Sequence, residues 1–498
     1  MNKQIIKNTT QKLIFGLLAI YFVSCSDFLE KNPLDQISSE VFWQNEKEAD
    51  MALAGVYARL RCWTFGHKDG SFDVMAGDAW GTVMSLAQGN IEPTSGSMVS
   101  TIYNDCFRGI SSCNFFLDNI EKTPLDQSKL NKYKAEVQFL RALFYFTLTE
   151  HYGGVPLYTT PVTIEEALVK QSPKSAVIDQ VITDLDFAIA NLPNIAYSDG
   201  HAVKGSAIAL KAKVLLHNEQ WGEAATLANQ IIQEGTYSLY DDFRTLFLTV
   251  GQKDNPEIIF STKFLEPDIT HNLDIRFSWH GVLNPRNDLV DSYECIDGLP
   301  IETSPLYDPS NWRLNRDPRC LMTVKAHEDS VFNSSGQKMG FNYNNISGTG
   351  FNPVKYCNWD KLPIDYSTIS DQDWILMRYA EVLLMYAEAK NEASGPDESV
   401  YSAVNQVRDR VDMPPIPDGL SKEQMRERIR HERRVELALE GRRYNDVKRW
   451  KTAEDYIPTI EDPGGAKRKF DPSKHYLLPF PQSEMDVNPN LEQNPGYN

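Results

Sequence analysis

A mostly α fold, with a helical half and a loop-rich half, is what this sequence predicts, and three observations predict it. Residues 205–233, 373–411 and 421–452 each carry apolar residues at helical period on both sides of a turn. Residues 240–365 are crowded with Pro, Asn, Asp and Gly and keep only short β-prone runs, such as Glu257–Phe260. The composition, 41% hydrophobic and 24% charged over 498 residues, is that of a globular chain with enough sequence for a large core.

The chain opens on a segment that does not belong to that fold. Lys3, Lys7 and Lys12 precede an apolar run, Leu13–Val23, that is short for a bilayer span, which is the layout of a secretory signal. The run ends in Val23-Ser24-Cys25, a bacterial lipobox with Phe22 where Leu is usual, so residues 1–24 are expected to be removed and Cys25 lipidated. Loss of the three lysines would carry the formal charge from −18 to −21. Residues 25–39 form a polar lipidated tether broken by Pro33, whose thirteen residues 26–38 could reach ~45 Å when extended. The fold then divides into 40–235 and 236–498, read as two segments of one compact unit.

Element by element, Ser38 or Ser39 can cap a first helix from Val41-Phe42 to Leu60, with Met51, Leu53, Ala54 and Tyr57 on one side. Residues 62–98 lose periodicity and read as irregular. Helical pattern returns at 100–121 and 128–151. The pair within 205–233 turns at Asn218–Trp221, that within 373–411 at Ser394-Gly395-Pro396, and that within 421–452 at Gly441. Small residues at the crossings, with large ones at i+3 and i+4, suit tetratricopeptide-like pairs, although long insertions break any strict repeat.

Composition and motif spacing exclude several kinds of chemistry. A charge of −18 opposes nucleic acid, and it disfavours an anionic polysaccharide unless a local basic patch overrides it. The run Arg426–Arg434 (RERIRHERR) interleaves Glu427 and Glu432 with arginines and reads as a salt-bridged helix face. Glu440, Arg442, Arg443 and Asp446 read as ion pairs at a helix junction. Nine histidines show no metal-ligand spacing, the Asp/Asn-rich loops show no EF-hand pattern, and neither a P-loop nor G-x-S-x-G is present. No catalytic residues, metal or cofactor are therefore assigned. Besides Cys25 there are Cys62, Cys106, Cys113, Cys295, Cys320 and Cys357, without a CxxC pair. Cys106 and Cys113 would lie ~10.5 Å apart along a helix, too far for a disulfide, and most of the six read as small buried hydrophobes.

The aromatics carry the functional reading. Trp63, Trp80, Trp279, Trp312 and Trp359 fall in irregular stretches, whereas Trp43, Trp221, Trp374 and Trp450 fall in or beside helices, where packing explains them. An exposed indole matches the C–H face of a sugar ring, while Asn, Asp, Arg and backbone groups match its hydroxyl edges. Trp80 and Trp279, with Trp63, Trp312 or Trp359, are the candidate ligand platform; for any one of them, packing of a loop onto the core is an equal alternative.

Several segments resemble the SusD/RagB family of outer-membrane nutrient-binding lipoproteins. They are Phe139-Leu140-Arg141-Ala142 through Tyr145 and Tyr152-Gly153-Gly154-Val155-Pro156-Leu157, followed by Val290-Asp291-Ser292-Tyr293 with Asp297-Gly298-Leu299-Pro300. Asn315-Arg316-Asp317-Pro318-Arg319, Met377-Arg378-Tyr379-Ala380-Glu381-Val382, and Glu432-Arg433-Arg434 through Glu440-Gly441-Arg442-Arg443 come next. Leu478-Pro479-Phe480-Pro481 and Asn494-Pro495-Gly496-Tyr497 close the series. The resemblance implies four tetratricopeptide-like helix pairs with an irregular, ligand-bearing half. It also implies a lipid anchor in the outer membrane, a position facing outside the cell, and capture of oligosaccharide or polysaccharide for a SusC-like TonB-dependent barrel. Other expectations are a peptide-binding RagB-like member, or a tetratricopeptide scaffold that binds only protein. No enzymatic activity is expected.

Overall fold

The computed structural model describes residues 42–67, 70–278, 280–326, 329–332, 336–339, 347–362 and 364–497. The expected signal, Cys25 and the tether lie outside the described residues, as do Ser38 and Ser39. The first helix, α1 (Glu46–Tyr57), starts later than the sequence reading placed it. Asn45 is its cap, with an extended φ of −154° and a side chain that accepts from the Glu48 amide.

Next come α2 (Ser97–Asn119), α3 (Gln127–Tyr152) and α4 (Lys174–Asn191), and α4 was not anticipated. Asp126 caps α3 by accepting from the Lys129 amide. Buried Arg141 on α3 donates to both carboxylate oxygens of Asp184 on α4, at 2.8 and 2.7 Å, which ties these two helices together. The pair α5 (Lys204–His217) and α6 (Trp221–Glu234) turns where the sequence places the turn. So do α7 (Tyr379–Ser394) and α8 (Glu398–Asp409), the latter capped by Asp397. The last pair is α9 (Lys422–Glu436), which starts in a Ser421/Gln424 capping box, and α10 (Arg443–Arg449) beyond Gly441.

Each helix of this series packs on the next, from α2 through α7, and α7 also meets α8 and α9. The result is a stacked helical half. Its apolar core is continuous with that of the loop half, running from Trp43 to Tyr497.

Two sequence readings need correction. Residues 374–378, expected to open a helix, form a strand, β6 (Trp374–Arg378), antiparallel to β2 (Ile258–Thr262). Both strands are buried along their whole length, and the short apolar run Trp374–Met377 has no period to separate strand from helix. The stretch 62–98 holds short helices at Ser71–Ala76 and Met84–Ala87, flanking β1 (Ala79–Gly81). One turn of helix is too short to show periodicity. In the loop half, β1 pairs with β3 (Leu283–Pro285), and β4 (Val324–Ala326) pairs with β5 (Phe351–Pro353). Cys106, Cys113, Cys295, Cys320 and Cys357 are buried free thiols, and Cys62 is half-buried.

The arginine-rich run on α9 is paired, but mostly not along its own helix. Only Arg430 with Glu427 is an i,i+3 pair. Arg426 reaches Glu392 on α7, Arg428 reaches Glu294, Arg433 reaches Asp446 on α10, and Arg434 reaches Asp78. Glu432 accepts from both Arg319 and Arg408. The residues at Glu440, Arg442, Arg443 and Asp446 are ion-paired at the helix junction, as their spacing suggested.

Candidate functional site

Trp80 sits on β1 opposite Asn284 of β3. Asn284 is buried, and its amide donates to the carbonyl oxygens of Trp80 (3.0 Å) and Gly281 (2.7 Å). This fixes the strand that carries the indole and the turn that follows residue 280. One side of the half-buried Trp80 ring lies on the backbone of Gly348, where a Cβ would come within 2.8 Å of the ring. The loop at Gly348 and the indole are therefore fitted to each other.

Across the same turn, the His280 ring is 5.7 Å from that of Tyr366, with Nε2 3.4 Å from the phenol oxygen. Tyr366 is 78% exposed, the most exposed aromatic among the large hydrophobics described. Its loop holds it there. Asp365 accepts from the Ser367 amide at 2.8 Å, and the Thr368 amide donates back to the Asp365 carbonyl. The base of that loop is tied to the helix Leu273–Ser278 by buried Asp274, which accepts from the Ser370 hydroxyl (2.7 Å) and the Asn358 amide (2.6 Å). Burial raises the Asp274 carboxyl above its usual range, against those hydrogen bonds.

The other candidates separate. Trp63 is half-buried, 6.2 Å from the Phe72 ring, and lines an open cleft of about 440 Å3 with Ser71, Thr82, Asn90, Ser95 and Arg276. Trp312 packs edge-on against Phe351 at 5.3 Å, under the Arg313 guanidinium at 5.0 Å. Asp329 in turn holds Arg313 at 2.6 Å. Trp359 is only 4% exposed, so its place in an exposed platform is corrected: it is a packing residue, with Lys325 over its ring. Trp279 lies outside the described residues. Trp43 and Trp374 are buried, as their settings suggested, while Trp221 and Trp450 are half-buried.

Sequence reasoning missed Tyr366 and His280. The only signal for Tyr366 was an aromatic in a turn-forming Asp-Tyr-Ser setting, which 22 tyrosines make hard to rank. Among the described residues no group of three or more His, Cys, Asp and Glu is arranged to hold a metal ion. What the loops offer is aromatic surface flanked by hydroxyls, amides and two arginines, Arg276 and Arg313. That suits a ligand with apolar faces and polar edges.

The protein is thus a stacked-helix scaffold that carries aromatic side chains on its loops. The chain belongs to the SusD/RagB family: residues 256–497 match the family model described as SusD family, and residues 27–216 match one described as starch-binding associating with outer membrane. Its relatives include SusD-like protein P2 of Formosa agariphila, 28% identical over 98% of this chain and 99% of the relative. Among solved structures, a SusD-like carbohydrate binding protein from Bacteroides fragilis superposes with a TM-score of 0.81 at 27% identity, covering 91% of this chain and all of that one. A laminarin binding SusD-like protein gives 0.70 at 27% identity over the same shares. The family is thus one of carbohydrate-binding proteins associated with the outer membrane.

Proposed function

We propose that this protein captures a glycan at the outer face of the outer membrane and passes it to a SusC-like TonB-dependent barrel. It is held there by lipid on Cys25 after removal of residues 1–24. The observation that carries the reading is two aromatics held on either side of the segment that leads into β3: half-buried Trp80, on the strand paired with it, and Tyr366 standing out beside His280. A phenol left this far in water adds little to folding, whereas stacking on a sugar ring recovers apolar contact in the bound state.

The test is affinity gel electrophoresis against a panel of glycans. Laminarin is a rational first probe, because one relative is named for binding it. Trp80→Ala and Tyr366→Ala should each weaken binding by about 1–3 kcal/mol while shifting the melting temperature little. Unchanged binding in both variants would remove the platform. Transfer and anchoring are tested separately. Mild-detergent extraction of native outer membranes should recover a TonB-dependent barrel with the protein, and fatty-acid labelling should mark the wild type but not Cys25→Ala.

A further inference from the structure

A second cleft, of about 620 Å3, opens among the C-terminal ends of α3, α5 and α10 and the start of α4. It belongs to the helical half, whereas the aromatic residues above belong to loops. Its chemistry is also different. Lys174, Lys448 and Lys451 all line it, in a chain whose formal charge is −18.

Helix C-termini attract cations, so the first question is whether the helices alone account for these lysines. They account for one. Lys448 is only 6% exposed, and its ammonium donates to the Glu150 carbonyl oxygen at 3.1 Å and lies 4.8 Å from the Tyr444 ring centroid. Lys174 has no hydrogen bond or ion pair among the described residues. Lys451 meets only the face of Tyr476, at 4.0 Å, and does so from a left-handed backbone (φ +57°), a post-helical position where glycine is favoured. The carboxylates in the lining form no ion pair with these lysines among the described residues. Glu150 is taken by His217 at 2.6 Å, and Glu219 makes no ion pair among the described residues. Arg449, also in the wall, is held by Glu388 and Asp446.

The same wall also offers hydrogen-bond acceptors. The His217 side chain is 7% exposed, and its Nδ1–H donates to the Glu150 carboxylate, so Nε2, which lines the cleft without a hydrogen-bond partner, is an acceptor. Asn445 Oδ1 is a second buried acceptor without a partner, and acceptors beside ammonium groups suit the hydroxyls of an acidic sugar. Burial pushes the Lys448 ammonium down to about 8, and the charges of Lys174 and Lys451 push the same way, against Glu150. Mutual repulsion of three ammonium groups is relieved by an anion placed between them.

We propose that this cleft is a second ligand site, taking an oxyanion, carboxylate or sulfate, borne on a saccharide. The volume suits one or two sugar units by the usual size of small-molecule sites, ~300–1,000 Å3. That the anion is carried on a saccharide rests on the glycan-binding reading above; the preference for an oxyanion does not.

The experiment is calorimetric titration of the full protein at low ionic strength with trigalacturonate, its neutral methyl ester and inorganic sulfate. Trigalacturonate should bind and the ester should not. Lys174→Gln/Lys451→Gln should lose about tenfold or more in affinity, since both side chains are exposed and their loss should leave the melting temperature in place. In Trp80→Ala the acidic oligomer should still bind, which separates this cleft from the loop aromatics. If the double variant binds trigalacturonate as well as wild type does, or if neither trigalacturonate nor sulfate binds wild type, the proposal is overturned. Sulfate binding as tightly as trigalacturonate would overturn the saccharide half of it.

Discussion

Trp80 and Trp359 stand in loops of similar composition, and the protein uses them in opposite ways. Trp359 is enclosed, so Trp359→Ala would empty a large volume in a packed wall and should cost about 3–5 kcal/mol of folding free energy. Denaturant melts of Trp359→Ala and Trp80→Ala side by side should show the first falling far below the second. An equal, small loss in both would contradict the packing role. Nothing in the sequence separates the two residues, because loops lack the period that tells an inward position from an outward one. What separates them is tertiary: Asn284 pins the strand that carries Trp80, whereas Trp359 is turned inward within a short 3-10 turn. The candidate site was therefore legible as a list of loop tryptophans and not as a surface. The prominence of Tyr366 depends on a turn geometry that its neighbours state only weakly.

At the scale of elements, much more was legible. The three turns at Asn218–Trp221, Ser394-Gly395-Pro396 and Gly441 stand where Gly, Pro and polar residues interrupt a 3.6-residue period. Misreadings fell at β6 and in the short helices between 62 and 98, where period is absent, and at α4, whose buried Val177, Ile178, Val181, Leu185 and Ala188 stand at helical spacing and were legible but passed over. The glycines show how packing overrides propensity. On α2, a Cβ at Gly109 would lie 2.5–2.7 Å from the Phe144 ring of α3, so this glycine sets how closely the two helices approach. On α6, a Cβ at Gly222 would meet nothing within 4 Å. Alanine is the better helix former by up to about 1 kcal/mol, so Gly222→Ala should stabilise by up to that amount. Gly109→Ala should destabilise by about 1–3 kcal/mol through overpacking. Urea unfolding of the two variants should give shifts of opposite sign; shifts of the same sign would mean that helix propensity, not the α2–α3 contact, governs Gly109.

At the scale of the whole molecule, the helical and loop halves are joined by buried charge. Glu436 on α9 accepts from Arg378 of β6 (2.5 Å), Arg410 (2.6 Å) and Arg319 of the loop half (3.0 Å), and Arg378 also reaches Glu257 and Glu440. These arginines hold the Glu436 carboxyl well below its ordinary value of 4.5 against the penalty of burial, and Glu388, Glu440 and Asp446 are lowered in the same way. A carboxylate whose folded value is depressed stabilises the protein fully above its unfolded value and loses that contribution as pH falls through the interval below it. Buried Asp184, Asp274 and Asp373 are raised and act in the opposite sense, but they are fewer. The melting temperature should therefore hold between pH 6 and 8 and fall progressively below about 4.5. Glu436→Gln isolates one member. At neutral pH it leaves three arginines facing a neutral amide and should cost about 3–5 kcal/mol. Below about pH 4.5 the unfolded wild type takes up a proton at Glu436 that the folded protein does not, so the wild-type advantage should shrink by about 1.4 kcal/mol per pH unit. By pH 3 the gap between wild type and variant should have closed by about 2 kcal/mol, and a gap unchanged from pH 7 to pH 3 would mean that Glu436 is not the depressed carboxylate its three arginines imply.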